Sequence, residues 1–377
     1  MKGSGSETNT LLKVVERLIN STIKKSLITG ITIDRNFIVL WKVTSQQQCE
    51  KEVQEIIDIF KKPLELKDEH IYVEMSAGVA LSDHKSNIEI LIENSMIAQK
   101  KARESLLDFA FYSRDIGEKE KRSLSLKDSL RVSFSENQFY LMYQPLVSME
   151  TGKIIGVEAL SRLEHPKYGF VPPGEFIPLI ENNIIVYDFG RRVLNVACRQ
   201  NKAWQDEGLD PIYVSVNVTA KQLLDFNFIS FVKEALDVSG LDAKYLKLEV
   251  TETGLIGNPD KAEEIILELQ KSNVNFLMDD FGTGYASLGY LYKFPFDGFK
   301  LDKSFIDGIL ENKAEHSIVS AAIGIAKALG IVVIAEGIEK HETYSLLNVM
   351  GCQVAQGYLI SKPLDACDVS GFIRRYN

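Results

Sequence analysis

The stretch Asn275–Leu288 reads N-F-L-M-D-D-F-G-T-G-Y-A-S-L. An apolar run, Phe276-Leu277-Met278, ends in two adjacent carboxylates, Asp279 and Asp280, and a loop with Gly282 and Gly284 follows. The run is expected to form a buried strand. Neighbours on a strand point to opposite faces, so two acids in succession belong at a strand end, where the chain is already turning. Buried carboxylates are costly unless paired or bound to metal, and their oxygens suit magnesium and manganese. Taken alone, the pair reads equally as surface acids before a glycine turn.

The same pattern, a short apolar run with a polar residue at its C-terminal end, recurs beyond residue 150. Ile154–Val157 leads into Glu158, Tyr213–Val216 into Asn217, and Leu246–Leu248 into Glu249, with Glu252 just beyond. Gly298-Phe299 leads into Lys300, Ile331–Ala335 into Glu336, and Cys352–Ala355 into Gln356. Amphipathic segments such as Asp188–Glu207, Phe231–Val238 and Ala314–Leu329 lie between the runs, the last closed by Gly330. Strands alternating with helices imply a parallel sheet. About eight strands with functional groups at their C-terminal ends predict an α/β, TIM-like (β/α)8 barrel.

A chain of 377 residues suits two domains. The net charge of −9 argues against a nucleic-acid polymer or an anionic membrane as partner, while leaving room for a small anionic ligand held by metals. Cys49, Cys198, Cys352 and Cys367 have no metal-ligand spacing and read as reduced, small core residues of a cytoplasmic chain. No stretch is apolar for long enough to span a bilayer, and the Gly/Ser-rich start Met1–Ser6 is expected to lack a signal-peptide apolar region.

The first part has α+β order. Leu11–Lys25 has helical spacing, Thr29–Trp41 reads as a hairpin turning near Asp34-Arg35-Asn36, Cys49–Phe60 and Asn87–Glu104 read as helices, and Ile71–Leu81 as a strand. The charged run Ser113–Ser125 reads as a solvated helical linker, which gives domains over 1–112 and 126–377. Met75–Ala80 and Leu91–Ala98 resemble the later motifs of a diguanylate cyclase (GGDEF) domain. Where that family has its Gly-Gly-Asp/Glu-Glu-Phe turn, this chain has Ile33-Asp34-Arg35-Asn36-Phe37. The resemblance is therefore to a truncated, degenerate copy, for which no cyclase chemistry is expected.

Glu158-Ala159-Leu160-Ser161-Arg162 resembles the signature of EAL-domain cyclic di-GMP phosphodiesterases. Val216–Thr219, Glu249–Glu252, Asp279–Gly284, Lys300–Asp302, Ala335–Glu339 and Gln356–Leu359 follow in family order across roughly two thirds of the chain. The resemblance implies hydrolysis of cyclic di-GMP to linear pGpG with two divalent cations, Mg2+ or Mn2+. It implies Glu158, Asn217, Glu249, Asp279 and Asp280 as metal ligands, Lys300 at the attacking water or the phosphate, and Glu336 as the residue that orients the water and its metal. Glu339 and Gln356 become supporting ligands, and Glu252 a brace for the loop Phe281–Leu288. Glu252 also reads as an acid at a helix N-terminus, a role compatible with the first. Gln144, Leu160 and Arg162 are expected to bind substrate, Arg162 through a bidentate phosphate contact, although alone it reads equally as a surface ion-pair partner. Leu163 stands where the family commonly has tryptophan, which is expected to alter ligand packing. His165, His316 and His341 match no motif and read as surface residues. A homodimer through the EAL domain is a further implication. A catalytically silent cyclic di-GMP receptor or a signalling scaffold is the rival reading, against which the retained acids count.

Overall fold

The computed structural model describes residues 5–23, 26–32, 36–66, 69–82, 87–282 and 288–377. Ile33, Asp34 and Arg35 of the expected hairpin turn lie outside these residues, as does Gly284 with the rest of 283–287. The chain divides into two units, Met1–Ser125 and Leu126–Asn377.

In the first unit, helix Gly5–Thr22 precedes an antiparallel hairpin, Ser26–Ile31 with Phe37–Trp41. Helix Gln46–Phe60 starts at Ser45, whose side chain accepts from the Gln48 N–H, and helix Ile88–Glu104 starts at Asn87, which accepts from Glu89. Val15, Ile19, Ile56 and Phe60 bury one another between the first two helices and the hairpin. The strand expected over Ile71–Leu81 is two pieces with different partners. Glu69–Ile71 pairs antiparallel with Leu64–Leu66, and Ala77–Val79 pairs in parallel with Phe109–Phe111. Tyr72, 76% exposed, interrupts the buried face between them. The segment expected as a helical linker is helical, within one helix, Arg114–Ser135, that runs on past Ser125.

The second unit is a closed eight-stranded barrel: β1 Phe139–Ser148, β2 Ile154–His165, β3 Tyr213–Val218, β4 Leu246–Thr251, β5 Asn275–Phe281, β6 Gly298–Leu301, β7 Val332–Ala335 and β8 Val354–Ala355. Its sheet is not wholly parallel, since β1 runs antiparallel to both β2 and β8. The reason is the link Met149–Lys153, long enough for a hairpin and too short for a parallel crossover. Gln144 therefore lies inside β1, directly across from Glu158, and Glu158 lies inside a strand that continues to His165. Outer helices bury one face each. In Val186–Asp206, Leu194, Ala197, Cys198, Asn201 and Trp204 recur at helical spacing toward the strands. Helix Lys313–Leu329 ends at Gly330 in the left-handed conformation, as its sequence predicts.

Candidate active site

Alternation along the strands turns one set of side chains into the barrel. Glu158, Glu249, Lys300 and Gln356, from β2, β4, β6 and the residue after β8, form one inward layer. Gln144, Asn217, Asp279 and Glu336, from β1, β3, β5 and the residue after β7, face inward too, with Gln144 level with Glu158 and Asn217 level with Glu249. Beneath lies an apolar plug that includes Leu146, Leu277 and Ile334.

Lys300 is the hub. Its side chain is 1% exposed, and its Nζ lies 2.5 Å from Glu336 Oε1, 2.7 Å from Glu249 Oε2, 3.1 Å from Glu158 Oε2 and 3.5 Å from Asp279 Oδ1. Asn217 Nδ2 donates to Glu158 Oε1 at 2.8 Å, and Gln356 Nε2 donates to Glu158 Oε2 at 2.6 Å. Gln356 Nε2 also donates to Gln144 Oε1, and Gln144 Nε2 to the Ser361 carbonyl. Burial alone would raise the Glu158 carboxyl, but Lys300 and the two amide donors outweigh it and hold it below its ordinary value. Glu249 lacks those amides. Burial, followed by repulsion from Glu158, pushes it well above the usual carboxylate range despite Lys300. Glu336 is pushed up to about 7, by burial first and then by Glu158 and Asp279 against the pull of Lys300. Burial works against the charge of Lys300, yet the four surrounding acids hold its ammonium well above its ordinary value.

Asp280 adopts a left-handed backbone, φ 55°, and its N–H donates to Asp279 Oδ1 at 3.0 Å. Burial, then Asp279 and Asp302, raise its carboxyl. Both aspartates open onto a cleft of about 500 Å3, also lined by Leu160, Arg162, Asn217 and Lys221. That volume suits a small-molecule ligand. Arg162 donates to the Ser161 carbonyl and is half-buried.

The oxygen-rich donor set fits hard divalent cations. The acids carry more negative charge than one lysine offsets, and Glu249 Oε1 is buried with no hydrogen-bond partner among the described residues. In this arrangement the acids converge on the Lys300 ammonium, and among the described residues no group of three or more Asp, Glu, His or Cys stands ready to hold an ion.

Several expectations are corrected. Glu339 does not join the cluster but pairs with Lys303 at 2.5 Å on the half-exposed surface. Leu163 does not line the cleft. Strand alternation turns it away from Arg162 into a fully buried cluster with Leu126, Phe139, Val171 and Phe176. His165 is buried rather than a surface residue, its Nε2 3.0 Å from Ser129 Oγ and its Nδ1 accepting from the Lys167 N–H. Cys49, Cys198 and Cys352 are buried, whereas Cys367 is exposed. Glu252 opens helix Glu252–Ile256 and is 3% exposed, with burial raising its carboxyl. Most of the loop it was expected to brace, residues 283–287, lies outside the described residues. Tyr213 and Ser215, inward-facing on β3 below Asn217, were not singled out, although their alternation with Asn217 was legible.

The metal-free protein has a testable pH dependence. A carboxyl raised from 4.5 to about 7 by folding takes up protons as the chain folds, so stability falls as pH rises between those values. Glu249 acts in the same direction. Glu158 is lowered and Lys300 raised, so the stability each contributes is lost only below and above that window. Melting temperature in excess chelator should decline from about pH 5 to about pH 7.5, and magnesium should flatten the decline. A rise over that range would contradict the assignment.

Residues 127–363 match the EAL domain family, and residues 5–106 match the diguanylate cyclase GGDEF domain. Signaling protein YkoW of Bacillus subtilis is 32% identical, over 96% of this chain and 46% of its own length. Cyclic di-GMP phosphodiesterase NbdA of Pseudomonas aeruginosa is 32% identical, over 97% of this chain and 47% of its own. The chain thus spans about half the length of these curated relatives. The solved PaMucR phosphodiesterase in complex with c-di-GMP is 36% identical, with a TM-score of 0.63 over 65% of this chain and 99% of that one. Among the described residues, no helix is long and apolar enough to cross a membrane.

Proposed function

The chain belongs to the EAL-domain family, with a GGDEF region ahead of the barrel, and from that premise we propose that it hydrolyses cyclic di-GMP to linear pGpG with two divalent cations. The observation that carries this reading is the ring of Glu158, Glu249, Asp279 and Glu336 around Lys300, of which Asp279, with Asp280 beside it, lines an open cleft. Similarity to NbdA and to the PaMucR phosphodiesterase complex supports the substrate.

Glu158, Asn217, Glu249, Asp279 and Asp280 would hold magnesium or manganese. When bound, such ions would supply a hydroxide nucleophile near neutral pH and would offset charge on the phosphoryl oxygens. Lys300 donates toward the same oxygens and keeps the acids from repelling one another. Glu336, on the more open side of Lys300, orients the attacking water by accepting its hydrogen bond. Arg162 and Gln144 fix the substrate, Arg162 by pairing with a phosphate.

Incubating the protein with cyclic di-GMP and magnesium, with products separated by chromatography, should yield pGpG. Chelator should abolish turnover, and calcium, larger and looser in geometry, should inhibit it. Robust turnover after exhaustive chelation would remove the metal mechanism, and binding without turnover would establish a receptor instead. The GGDEF region is proposed to be degenerate and to make no cyclic di-GMP. A Glu158→Ala variant given GTP and magnesium should accumulate none, and any accumulation would refute that.

A further inference from the structure

Among the described residues, the barrel interior holds four buried polar atoms without a hydrogen-bond partner: Tyr213 Oη, Ser215 Oγ, Glu249 Oε1 and Gln356 Oε1. Tyr213, Ser215 and Asn217 alternate along β3 and share its inner face. In the strand register Ser215 is level with Glu158 of β2 and with Lys247 of β4, and Asn217 is level with Glu249. Two residues below Glu158 and Lys300 on their own strands stand Gly156 and Gly298, which project no side chain. A Cβ on Gly156 would lie 2.4 Å from Cε2 and Cζ of Tyr213, so the hydroxyl-bearing end of the ring fills the room this glycine leaves. The Lys247 ammonium lies 4.1 Å from the ring centroid, and Leu146, Leu277 and Ile334 complete the packing.

A phenylalanine would make every apolar contact of this ring, so packing does not account for the hydroxyl. A buried hydroxyl without a partner costs about 1–3 kcal/mol, as does a buried acceptor without a donor. Tyr213 lies below Ser215 on β3, and Ser215 below Asn217, which is level with Glu249, so donor and acceptor share the barrel interior and complement each other. A cation over the ring face draws electron density from the phenol and strengthens it as a donor. Burial, and then the charge of Glu249, push the Tyr213 phenol upward, so it remains a neutral donor. Buried waters commonly bridge groups of this kind, with about three hydrogen bonds each.

We propose that Tyr213 and Ser215 are positioning residues for Glu249, their hydroxyls reaching, through buried water, the carboxylate oxygen Oε1 that no described protein donor contacts. They thereby fix the orientation in which Glu249 meets a divalent cation. The inference rests on the phosphodiesterase reading only through the role of Glu249.

The test uses the whole chain and three variants, Tyr213→Phe, Ser215→Ala and Tyr213→Leu. Manganese binding is measured by calorimetry without substrate, alongside kcat, KM and metal-free melting. Tyr213→Phe and Ser215→Ala should each weaken manganese binding about tenfold and lower kcat, with KM for cyclic di-GMP and melting temperature unchanged. Tyr213→Leu, which also removes the ring, should lose stability as well. Manganese affinity within about twofold of wild type in both hydroxyl variants would overturn the inference and leave the ring a space-filler. Absence of manganese binding in the wild type would overturn it too. If the wild type binds manganese but never turns over cyclic di-GMP, the phosphodiesterase reading fails, while the binding measurement still decides the role of the hydroxyls.

Discussion

Replacing Lys300 with methionine should lower the melting temperature of the metal-free protein at pH 7.5 by about 10 °C, because breaking a buried ion cluster costs about 3–5 kcal/mol. Methionine has nearly the same length, so the loss is electrostatic rather than a cavity. With the ammonium gone, Glu158, Glu249, Asp279 and Glu336 face one another without the cation that lies within 3.5 Å of all four. They would respond by binding protons, so the loss should shrink toward pH 5. Magnesium should return part of the melting temperature, since a divalent cation offsets the same charges. Turnover should stay at least about a hundredfold down even at saturating magnesium, because Lys300 also serves the phosphoryl oxygens. A variant that melts within about 2 °C of wild type at pH 7.5 would show that the acids do not depend on this lysine.

Asp279→Asn should have the opposite effect on the metal-free fold and a similar one on catalysis. Asp279 is the acid farthest from Lys300 at 3.5 Å, and its charge helps to raise Glu249, Glu336 and Asp280. Removing that charge relieves repulsion, so the metal-free variant should melt no lower than wild type. It should lose the stabilisation that magnesium gives wild type, and its turnover should fall at least about a hundredfold. Full rescue by added magnesium, or activity within a few-fold of wild type, would remove Asp279 from the metal site. Together the two substitutions separate the cation the protein supplies from those it must bind.

The sequence by itself determined the order and type of the barrel elements. Strand and helix leave different apolar periods in the chain, and each short apolar run after residue 150 leads into an oxygen donor or a cation. It also determined the candidate set Glu158, Asn217, Glu249, Asp279, Lys300, Glu336 and Gln356, since residues at corresponding strand positions must meet once a barrel closes. Only the tertiary structure decided which of these touch. Lys300 as the common partner of four acids, and the two amides that give Glu158 a different proton affinity from Glu249, depend on neighbours up to 198 residues apart in sequence. The sequence held two further facts that became clear only with strand direction and register. The short link Met149–Lys153 makes β1 antiparallel and brings Gln144 opposite Glu158. Continuation of β2 past Glu158 turns Leu163 into the core and keeps Arg162 at the cleft. Tyr213 is the clearest case of the divide. Along the chain it is one more aromatic residue in an apolar strand, and its hydroxyl acquires meaning only because Gly156, on the neighbouring strand, leaves room for it beneath the acids.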